Sequence, residues 1–374
     1  MRRRWLVPSP LAEVRVRRAM RPLTDDWQRV PVAPHGTTQL GISFRPPQID
    51  ALGLDARATM QTLLAYPFQL IRLGAYWSRI ERTPGEFVFD ELDWQVEAAE
   101  QAGKRIILCV GAVKTFGYPE CFVPAHRLRQ PLREGAVVHP AAHRSLLAAA
   151  TAFEVRVVER YRAHPSIIAW QVEHEAVDPL GIEHSWRLAA SFVREEVAAV
   201  RAADRTRPVM LNGFLPTSAL VGMQQWWRTR DQGDSLEVAQ ELADIIGIDY
   251  YPCHALVRVG ARTVYLDGGA SAWQRGRRQR LFAWAAAHEK RVMIAEGQAE
   301  PWEAVTIPPN PAAWGMSSCL PERVIENYNQ SMGWTHSGLR LWAYLFWGAE
   351  YWVLREQYGD PRYLRAFARV LEHT

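Results

Sequence analysis

Eight short apolar runs alternate with longer amphipathic stretches along this chain of 374 residues, and the alternation predicts an α/β fold, a single (β/α)8 TIM barrel. The runs have the length of buried strands, and apolar residues recur at three- and four-residue spacing between them, as in helices that cover a sheet. Segments after the strands are long and rich in Trp, Tyr, Pro and Gly, whereas the helix-to-strand return at 101–104 is short. Because barrel enzymes build their sites at the carboxyl ends of the strands, this asymmetry predicts a site on that face.

The individual elements follow from apolar runs bounded by turn residues and from helical periodicity. Strands are predicted at 39–44, 69–73, 105–111, 167–172, 208–212, 245–250, 291–295 and 339–346. Helices are predicted at 91–102, 143–161, 186–203, 277–288 and 321–332. The alternative fold is a doubly wound open sheet, but no G-x-G-x-x-G sequence opens its first helix. Residues 1–36 precede the pattern and are interpreted as an N-terminal extension, packed on the outside of the barrel or partly disordered.

The composition argues against several classes of protein. Lys and Arg number 44 against 40 Asp and Glu, and this excess of +4 is too small to predict a nucleic-acid partner. No stretch approaches the roughly 20 apolar residues that cross a bilayer, and the four cysteines lack a disulfide-framework spacing. The first segment, with Arg2, Arg3 and Arg4, is interpreted as a solvated arm, because Pro8 and Pro10 interrupt its apolar run before an export signal can form. We therefore expect a cytoplasmic protein that has neither a membrane nor a nucleic acid as partner.

Two glutamates stand where apolar runs break into polar loops. The sequence WQVEHE ends at Glu175 after the predicted fourth strand, and VMIAEGQ is centred on Glu296 after the predicted seventh. Two carboxyls on different strands, aimed into one cavity, are the minimal equipment for cleaving a glycosidic bond. The alternative is that either glutamate is a surface residue at a strand end.

Arginine and tryptophan provide further candidates. Arg72 ends an apolar strand, where a guanidinium is costly unless it meets a carboxylate, so it is either a site residue or half of a structural ion pair. The chain has 16 tryptophans, whose flat rings suit the C–H faces of sugars, although many are expected in the core. Those in or near the predicted loops at the carboxyl ends of the strands are Trp77, Trp302, Trp314, Trp347 and Trp352.

Six segments, taken together and in order, resemble the clan-A retaining glycoside hydrolases. They are LIRLGAYW, WSRIERTPGEFVFDELD, WQVEHE, IGIDYYP, AEGQAEPW and LWAYLFWGAEYW. The resemblance covers nearly the whole barrel and implies that residues 37–374 are a glycoside hydrolase catalytic domain. In that clan the acid/base Glu follows the fourth strand and the nucleophile Glu follows the seventh, which implies these roles for Glu175 and Glu296. We expect no metal and no organic cofactor.

The resemblance also implies residues that bind substrate or support the nucleophile. Arg72 matches an Arg that keeps the nucleophile ionised, and Trp347 matches the platform beneath the sugar. A tyrosine after the sixth strand supports the nucleophile, and we prefer Tyr251 to Tyr250 because side chains alternate along a strand. His174 departs from the commonest pattern, in which an Asn before the acid/base binds the sugar 2-hydroxyl. A His-Glu pair occurs in some mannan-cleaving branches, but an imidazole can bind other hydroxyls equally well, or can simply bond a neighbouring backbone group.

The resulting hypothesis is a retaining β-glycoside hydrolase acting on a β-glycoside or an oligosaccharide. Retention needs the two carboxyls about 5–5.5 Å apart, one ionised and one protonated. A transglycosylase and a catalytically silent carbohydrate-binding barrel are the alternatives on the same residues. A metal-dependent hydrolase is disfavoured because only His174, Glu175 and His184 lie close together and no HxH or HExxH occurs. The glycone, the linkage, exo or endo action and the oligomeric state stay open.

Overall fold

Eight parallel strands close into a barrel in the computed structural model, which describes residues 14–119, 121–133, 135–178, 186–229, 232–260, 262–267, 271–303 and 306–373. In chain order the barrel strands are β1 (Gln39–Ser43), β2 (Leu70–Gly74), β3 (Arg105–Cys109), β4 (Ile167–Gln171), β5 (Val209–Phe214), β6 (Ile245–Tyr250), β7 (Arg291–Gln298) and β8 (Ala343–Trp347). Each strand pairs with the next in the chain, and β8 pairs with β1 to close the circle. The predicted (β/α)8 barrel is confirmed.

The helices lie mainly between consecutive strands. They are α1 (Pro46–Ala51), α2 (Ala56–Leu64), α3 (Trp77–Ile80), α4 (Asp90–Gln101), α5 (Arg144–Tyr161), α6 (Ala190–Ala203), α7 (Ala219–Thr229), α8 (Ser235–Leu242), α9 (Ala272–Ala287), α10 (Pro321–Met332), α11 (Ala349–Gln357) and α12 (Arg362–Leu371). Local sequence sets several of their starts. Asp55 accepts a hydrogen bond from the Ala58 main chain at the start of α2, and Asp234 forms a capping box with Glu237 at the start of α8. The apolar faces of the helices pack on the outer surface of the barrel in the main hydrophobic core.

The barrel interior changes from apolar to polar towards the carboxyl ends of the strands. Residues two apart on a strand point to the same side. The lower layer includes the apolar side chains of Leu70, Ile107, Ala169, Met210 and Leu345. Two residues further along these five strands are Arg72, Cys109, Gln171, Asn212 and Trp347, all buried. The upper layer therefore places polar and aromatic groups where the long loops begin.

Several predicted boundaries are wrong, two of them because the residues pair in small sheets outside the barrel. The eighth strand does not run through 339–346, because Leu339–Arg340 pairs antiparallel with Thr335–His336 in a separate hairpin and the barrel strand begins at Ala343. The helix predicted from Trp186 begins instead at Ala190, since Arg187–Leu188 is paired with Val137–Val138.

Residues 14–22 pair with segments that follow β6 and β7, and we call them the N-terminal strap. Within it, Val14–Arg18 adds an edge strand to the hairpin of Cys253–Val259 and Arg262–Asp267, in a segment predicted as loop. The strand Met20–Pro22 then pairs with Trp314–Met316, in the segment after β7.

Residues 1–13, with Arg2, Arg3 and Arg4, lie outside the described part of the chain. The division of the chain at residue 36 remains a prediction. Among the described residues, no helix combines the length and the apolar composition needed to cross a membrane.

Candidate active site

A strained turn follows β4 and carries Glu175. Glu173 and Glu175 have φ values of +57° and +41°, in the left-handed region that non-glycine residues seldom adopt and that costs about 1–3 kcal/mol each. The buried Lys114 stabilises the turn, since Nζ donates to the main-chain oxygens of Glu175 at 2.5 Å and Asp178 at 2.9 Å. The Glu173 carboxylate in turn accepts from the main-chain N–H groups of Val113, at 2.8 Å, and Lys114. These contacts lock the turn after β4 against the segment after β3.

Glu173 also belongs to a second group of buried acids beneath this turn. Glu154 on α5 and Glu196 on α6 are fully buried, and side-chain oxygens of the three glutamates lie within 4.8 Å of one another. Burial raises the pKa of Glu154 and Glu196 well above the usual range, and that of Glu173 to about 7. Protons held by this group relieve the repulsion of three close carboxylates.

Glu296 reaches the interior through an irregularity in β7. Strict alternation from Met293 and Ala295 would point residue 296 out of the barrel. The register of β7 shifts against both neighbours at this point, between Ile248 and Asp249 on β6 and between Ile294 and Gly297 in the pairing with β8. A bulge of this kind re-aims a side chain.

The Glu296 carboxylate is 2% exposed and is bound on both oxygens. Arg72 Nη2 donates to Oε1 at 2.6 Å, and the Tyr251 hydroxyl donates to Oε2 at 2.5 Å. Burial alone would raise the pKa of Glu296, but His174, Arg72 and the Tyr251 hydrogen bond outweigh it and lower the pKa. Because His174 is itself neutral near pH 7, as described below, Arg72 supplies the positive charge. Tyr250 points elsewhere, with its hydroxyl on Gln330 at 2.6 Å.

Arg72 is oriented from several sides. Its Nε donates to Ser43 Oγ at 3.0 Å, and the guanidinium lies 4.1 Å from the Phe116 ring centre and 5.4 Å from that of Trp347. A second guanidinium, that of Arg45, lies 4.1 Å from the Trp347 ring. Trp347 therefore contacts two cations next to the Glu296 site, and 9% of its surface is exposed.

Glu175 lies in an environment opposite to that of Glu296. Burial, then the negative charges of Asp178 and Glu296, raise the pKa of Glu175 to about 8, although Lys114 acts in the other direction. A side-chain oxygen of Asp249 on β6 lies within 4.8 Å of one on Glu175. At neutral pH Glu175 therefore holds a proton while Glu296 is ionised.

His174 lies between these carboxyls and is 3% exposed. Its Nδ1 is 2.8 Å from Asn212 Nδ2 and 3.5 Å from Glu296 Oε1. Burial lowers the pKa of His174 to about 4, and the attraction of Glu296 does not reverse this effect. The imidazole is thus neutral near pH 7, and the contact with Glu296 is not an ion pair at that pH.

Sequence reasoning missed Asn212, Asp249 and Lys114. Asn212 Nδ2 donates to Asp249 Oδ2 at 2.6 Å as well as contacting His174, and all three missed residues are buried. The available signal was a single polar residue inside an apolar strand, as in VMLNGF and IGIDYY. Such a residue is costly to bury unless it has partners in the barrel interior.

Two groups among the described residues have the spacing of metal ligands. One is Glu154, Glu173 and Glu196, and the other is His174, Glu175 and Asp249. In the second group, His174 Nδ1 and Asp249 Oδ2 already face the Asn212 amide. His184, the other histidine considered for a metal site, lies outside the described residues.

The predicted tryptophans divide into core and surface. Trp77 and Trp352 are 1% and 0% exposed, with indole N–H groups bonded to Glu81 and to the Ala299 carbonyl, so both are core residues. Trp302 and Trp314, after β7, are 46% and 38% exposed. Trp302 packs edge-on against Tyr251, with ring centres 5.4 Å apart, and so lies next to the Glu296 site.

Comparison with known proteins gives a family match to part of the chain and a shared fold. The family model Glyco_hydro_42, described as beta-galactosidase, matches residues 55–194, a range that holds Arg72, His174 and Glu175. No curated protein matches the chain significantly in sequence.

Solved structures of glycoside hydrolases share the fold at low identity. GH5_18 from Streptomyces cattleya, in complex with GlcNAc, aligns with a TM-score of 0.58 and 12% identity over 90% of this chain and 80% of that one. The exo-beta-1,4-mannosidase Op5Man5 from Opitutaceae bacterium strain TAV5 aligns with a TM-score of 0.55 and 12% identity. The alignment covers 90% of this chain and 59% of that one. The cold-adapted beta-galactosidase from Rahnella sp. R3 aligns with a TM-score of 0.54 and 12% identity. The alignment covers 91% of this chain and 57% of that one. The chain is therefore similar to glycoside hydrolases in two respects: a family model matches its sequence over residues 55–194, and its closed parallel barrel is the fold of these solved structures.

Proposed function

We propose that this glycoside hydrolase cleaves β-glycosides with retention of configuration, through a covalent glycosyl-enzyme on Glu296. The observation that carries the proposal is a pair of buried carboxyls that both lie close to His174 but have opposite surroundings, since Glu296 is paired with Arg72 and Glu175 lies beside another acid, Asp249. Glu296 has a lowered pKa beside Arg72, and Glu175 has a pKa raised to about 8. Pairs of carboxyls whose surroundings separate their pKa values are typical of an acid and a nucleophile.

In the first step the ionised Glu296 attacks the anomeric carbon and the bond to the aglycone oxygen breaks. Glu175 gives its proton to that oxygen, so the aglycone leaves as a neutral alcohol. Both Glu296 oxygens are held by donors, Arg72 Nη2 and the Tyr251 hydroxyl, which fixes the carboxylate for attack. The same contacts stabilise the Glu296 carboxylate when it leaves the anomeric carbon in the second step.

In the second step Glu175, now ionised, takes a proton from water, and the resulting hydroxide attacks the anomeric carbon as its bond to Glu296 breaks. The Lys114 ammonium near the turn favours the ionised form of Glu175 that this step requires. The cycle ends with Glu175 protonated and Glu296 ionised again. No metal or organic cofactor enters either step.

Aromatic and polar groups around Glu296 support a sugar as the ligand. Trp347 presents part of its ring beside the Arg72 and Glu296 pair, where it can stack on the C–H face of the glycone. His174 and Tyr251 both contact the Glu296 carboxylate, and from there they can contact the hydroxyls of that sugar.

The test is a panel of nitrophenyl β-glycosides of gluco, galacto, manno, xylo and fuco configuration, assayed in the presence of a chelator. Wild type is compared with Glu296→Gln, Glu175→Gln and a matched control, Glu195→Gln, on the exposed face of α6. We expect chelator-resistant release that Glu296→Gln abolishes and the control preserves. NMR of the first product should show the β-anomer.

Initial formation of the α-anomer, or near-wild-type turnover by Glu296→Gln, would contradict the proposed mechanism. Glycosyl transfer to an added alcohol with little hydrolysis would identify a transglycosylase. Binding of sugars without release from any substrate would identify a carbohydrate-binding barrel.

A further inference from the structure

We propose that Asn212 is a positioning residue that fixes the tautomer of His174, so that the imidazole presents its Nε2–H to the bound sugar. The inference rests on the proposed function for the identity of the ligand. The tautomer itself follows from a chain of hydrogen bonds that begins at a main-chain carbonyl and ends at the imidazole.

The first link is the Glu173 carbonyl oxygen, which can only accept. Gln171 Nε2 lies 3.0 Å from it, so the nitrogen rather than the oxygen of the Gln171 amide faces this carbonyl. The same nitrogen lies 2.9 Å from Asn212 Oδ1. The two hydrogens of Nε2 serve these two acceptors, and Asn212 is thereby oriented with its oxygen towards Gln171.

The second link is the Asn212 Nδ2 group, which must donate with both hydrogens. One goes to Asp249 Oδ2 at 2.6 Å, and the other points at His174 Nδ1 at 2.8 Å. Nδ1 can accept this hydrogen only through its lone pair, so the single hydrogen of the neutral imidazole is on Nε2.

The charges around His174 agree with a neutral ring. Burial together with the positive charges of Arg72 and Lys114 lowers its pKa to about 4, although Glu296 opposes them. Glu175, close to the ring, holds a proton because burial and the neighbouring acids raise its pKa to about 8, and burial also raises the pKa of the nearby Asp249. The 3.5 Å separation of His174 Nδ1 from Glu296 Oε1 is longer than an ordinary hydrogen bond. The 2.8 Å contact with Asn212 Nδ2 therefore determines the tautomer.

The consequence concerns the glycone. Among the described residues, none accepts a hydrogen bond from His174 Nε2, although the ring lies next to the nucleophile. An Nε2–H group there donates to a sugar hydroxyl oxygen, whereas the other tautomer would offer a lone pair and demand a hydroxyl hydrogen. Asn212 thus determines the direction of one hydrogen bond to the substrate without contacting the substrate itself.

The test reads the tautomer directly by NMR of protein labelled with 15N in its histidines, with the His174 signals assigned by their loss in His174→Asn. Wild type at pH 7 should show a hydrogen on Nε2 and none on Nδ1. The double variant Asn212→Asp with Asp249→Asn keeps the net charge of the pair and its mutual hydrogen bond, but turns residue 212 into an acceptor. In that variant the hydrogen should move to Nδ1, and Asp249→Asn alone should leave it on Nε2.

Kinetics on the best aryl glycoside then link the tautomer to the sugar. The double variant should lower kcat/KM about tenfold more than Asp249→Asn alone, the scale of one lost hydrogen bond. In a His174→Asn background, adding Asn212→Asp to Asp249→Asn should lower kcat/KM by less than about a third of that factor.

A hydrogen on Nδ1 in wild type, a cationic ring at pH 7, or an unmoved hydrogen in the double variant would overturn the inference. Equal kinetic effects in both backgrounds would overturn its link to the sugar. The NMR result needs no turnover, so an inactive protein with the expected tautomer would refute the proposed function alone.

Discussion

Arg72 and Glu296 form an ion pair almost completely shielded from water, with Nη2 2.6 Å from Oε1 and side chains 0% and 2% exposed. Burying a charge costs several kcal/mol unless a partner compensates it, so each of these ions depends on the other. The pair keeps Glu296 ionised, whereas burial and neighbouring acids keep Glu175 protonated. The Arg72 contact is therefore the main physical reason that the two glutamates differ.

Replacing Arg72 with Met should remove this difference. The charge is lost while most of the apolar volume is kept, so the pKa of Glu296 should rise and the acidic limb of the kcat/KM profile should move to higher pH. At neutral pH we expect kcat/KM to fall at least about 100-fold, and the free energy of unfolding to fall by roughly 3–5 kcal/mol because an uncompensated buried carboxylate remains. Arg79→Met, at the surface ion pairs with Asp50 and Glu91, is the matched control and should leave the profile in place. An unmoved acidic limb in Arg72→Met would show that Arg72 does not set the ionisation of Glu296.

The dependence of kcat/KM on pH in the wild-type protein should be bell-shaped, with its alkaline limb near pH 8. In the proposed mechanism activity needs Glu296 ionised, so kcat/KM should rise as the pH passes the lowered pKa of Glu296. It also needs Glu175 protonated, so kcat/KM falls as the pH passes about 8. With dinitrophenyl glycosides, whose leaving group needs no proton, Glu175→Gln should retain the acidic limb and lose the alkaline one. Persistence of the alkaline limb in that variant would assign it to another group.

The stability of the protein should respond to Glu175 with a definite sign. The pKa of Glu175 is about 8 in the fold against a usual 4.5, so the folded protein keeps a proton that the unfolded chain releases between these values. The stability associated with the protonated group is present below pH 4.5 and is lost as the pH rises through 8. Because Gln cannot ionise, the melting temperature of Glu175→Gln relative to wild type should increase from pH 5 to pH 9, while Glu195→Gln shows a constant difference. A difference independent of pH would mean that Glu175 is not held protonated by the fold.

The fold could be predicted because strand existence depends on local pattern. The run at 245–250 matches β6 at both ends, since alternation, β-branched residues and flanking polar groups are all read within a few positions. The eighth strand was harder, because an apolar run cannot reveal that Leu339–Arg340 turns back on Thr335–His336 before the barrel strand begins. That boundary is decided by partners elsewhere in the chain.

The candidate site was predictable only where burial of a charge would be costly. Arg72 and Glu296 stand out in the sequence for this reason, and the structure joins them. Asn212 and Asp249 carry the same signal more weakly, and nothing local shows that one amide contacts both Asp249 and His174. The bulge that turns Glu296 inwards is likewise a property of pairing between strands.

The N-terminal strap should stabilise the segments after β6 and β7 through main-chain pairing rather than through buried side chains. Its first strand is mostly exposed but pairs over five residues with Arg262–Asp267, Val16 lying opposite Val264. Arg17 and Arg21 add ion pairs to Asp267 and Glu322, and the Ser317 main-chain N–H donates to the Ala19 oxygen at 2.9 Å. Removal of residues 1–22 should therefore lower the melting temperature by several degrees and raise KM more than it lowers kcat, since Tyr251 and Trp302 lie at the bases of these segments.

Deletion of residues 1–13 alone leaves every one of these pairings in place and is the control. Val16→Pro, which removes a main-chain N–H from the strap and restricts its backbone, should reproduce part of the effect, whereas Val16→Thr should not. Hydrogen exchange gives the local measurement, because the amides of Arg262–Asp267 should exchange faster in the 1–22 deletion and in Val16→Pro. If exchange at these amides and KM are both the same with and without residues 14–22, the strap has no part in holding the carboxyl-end face of the barrel.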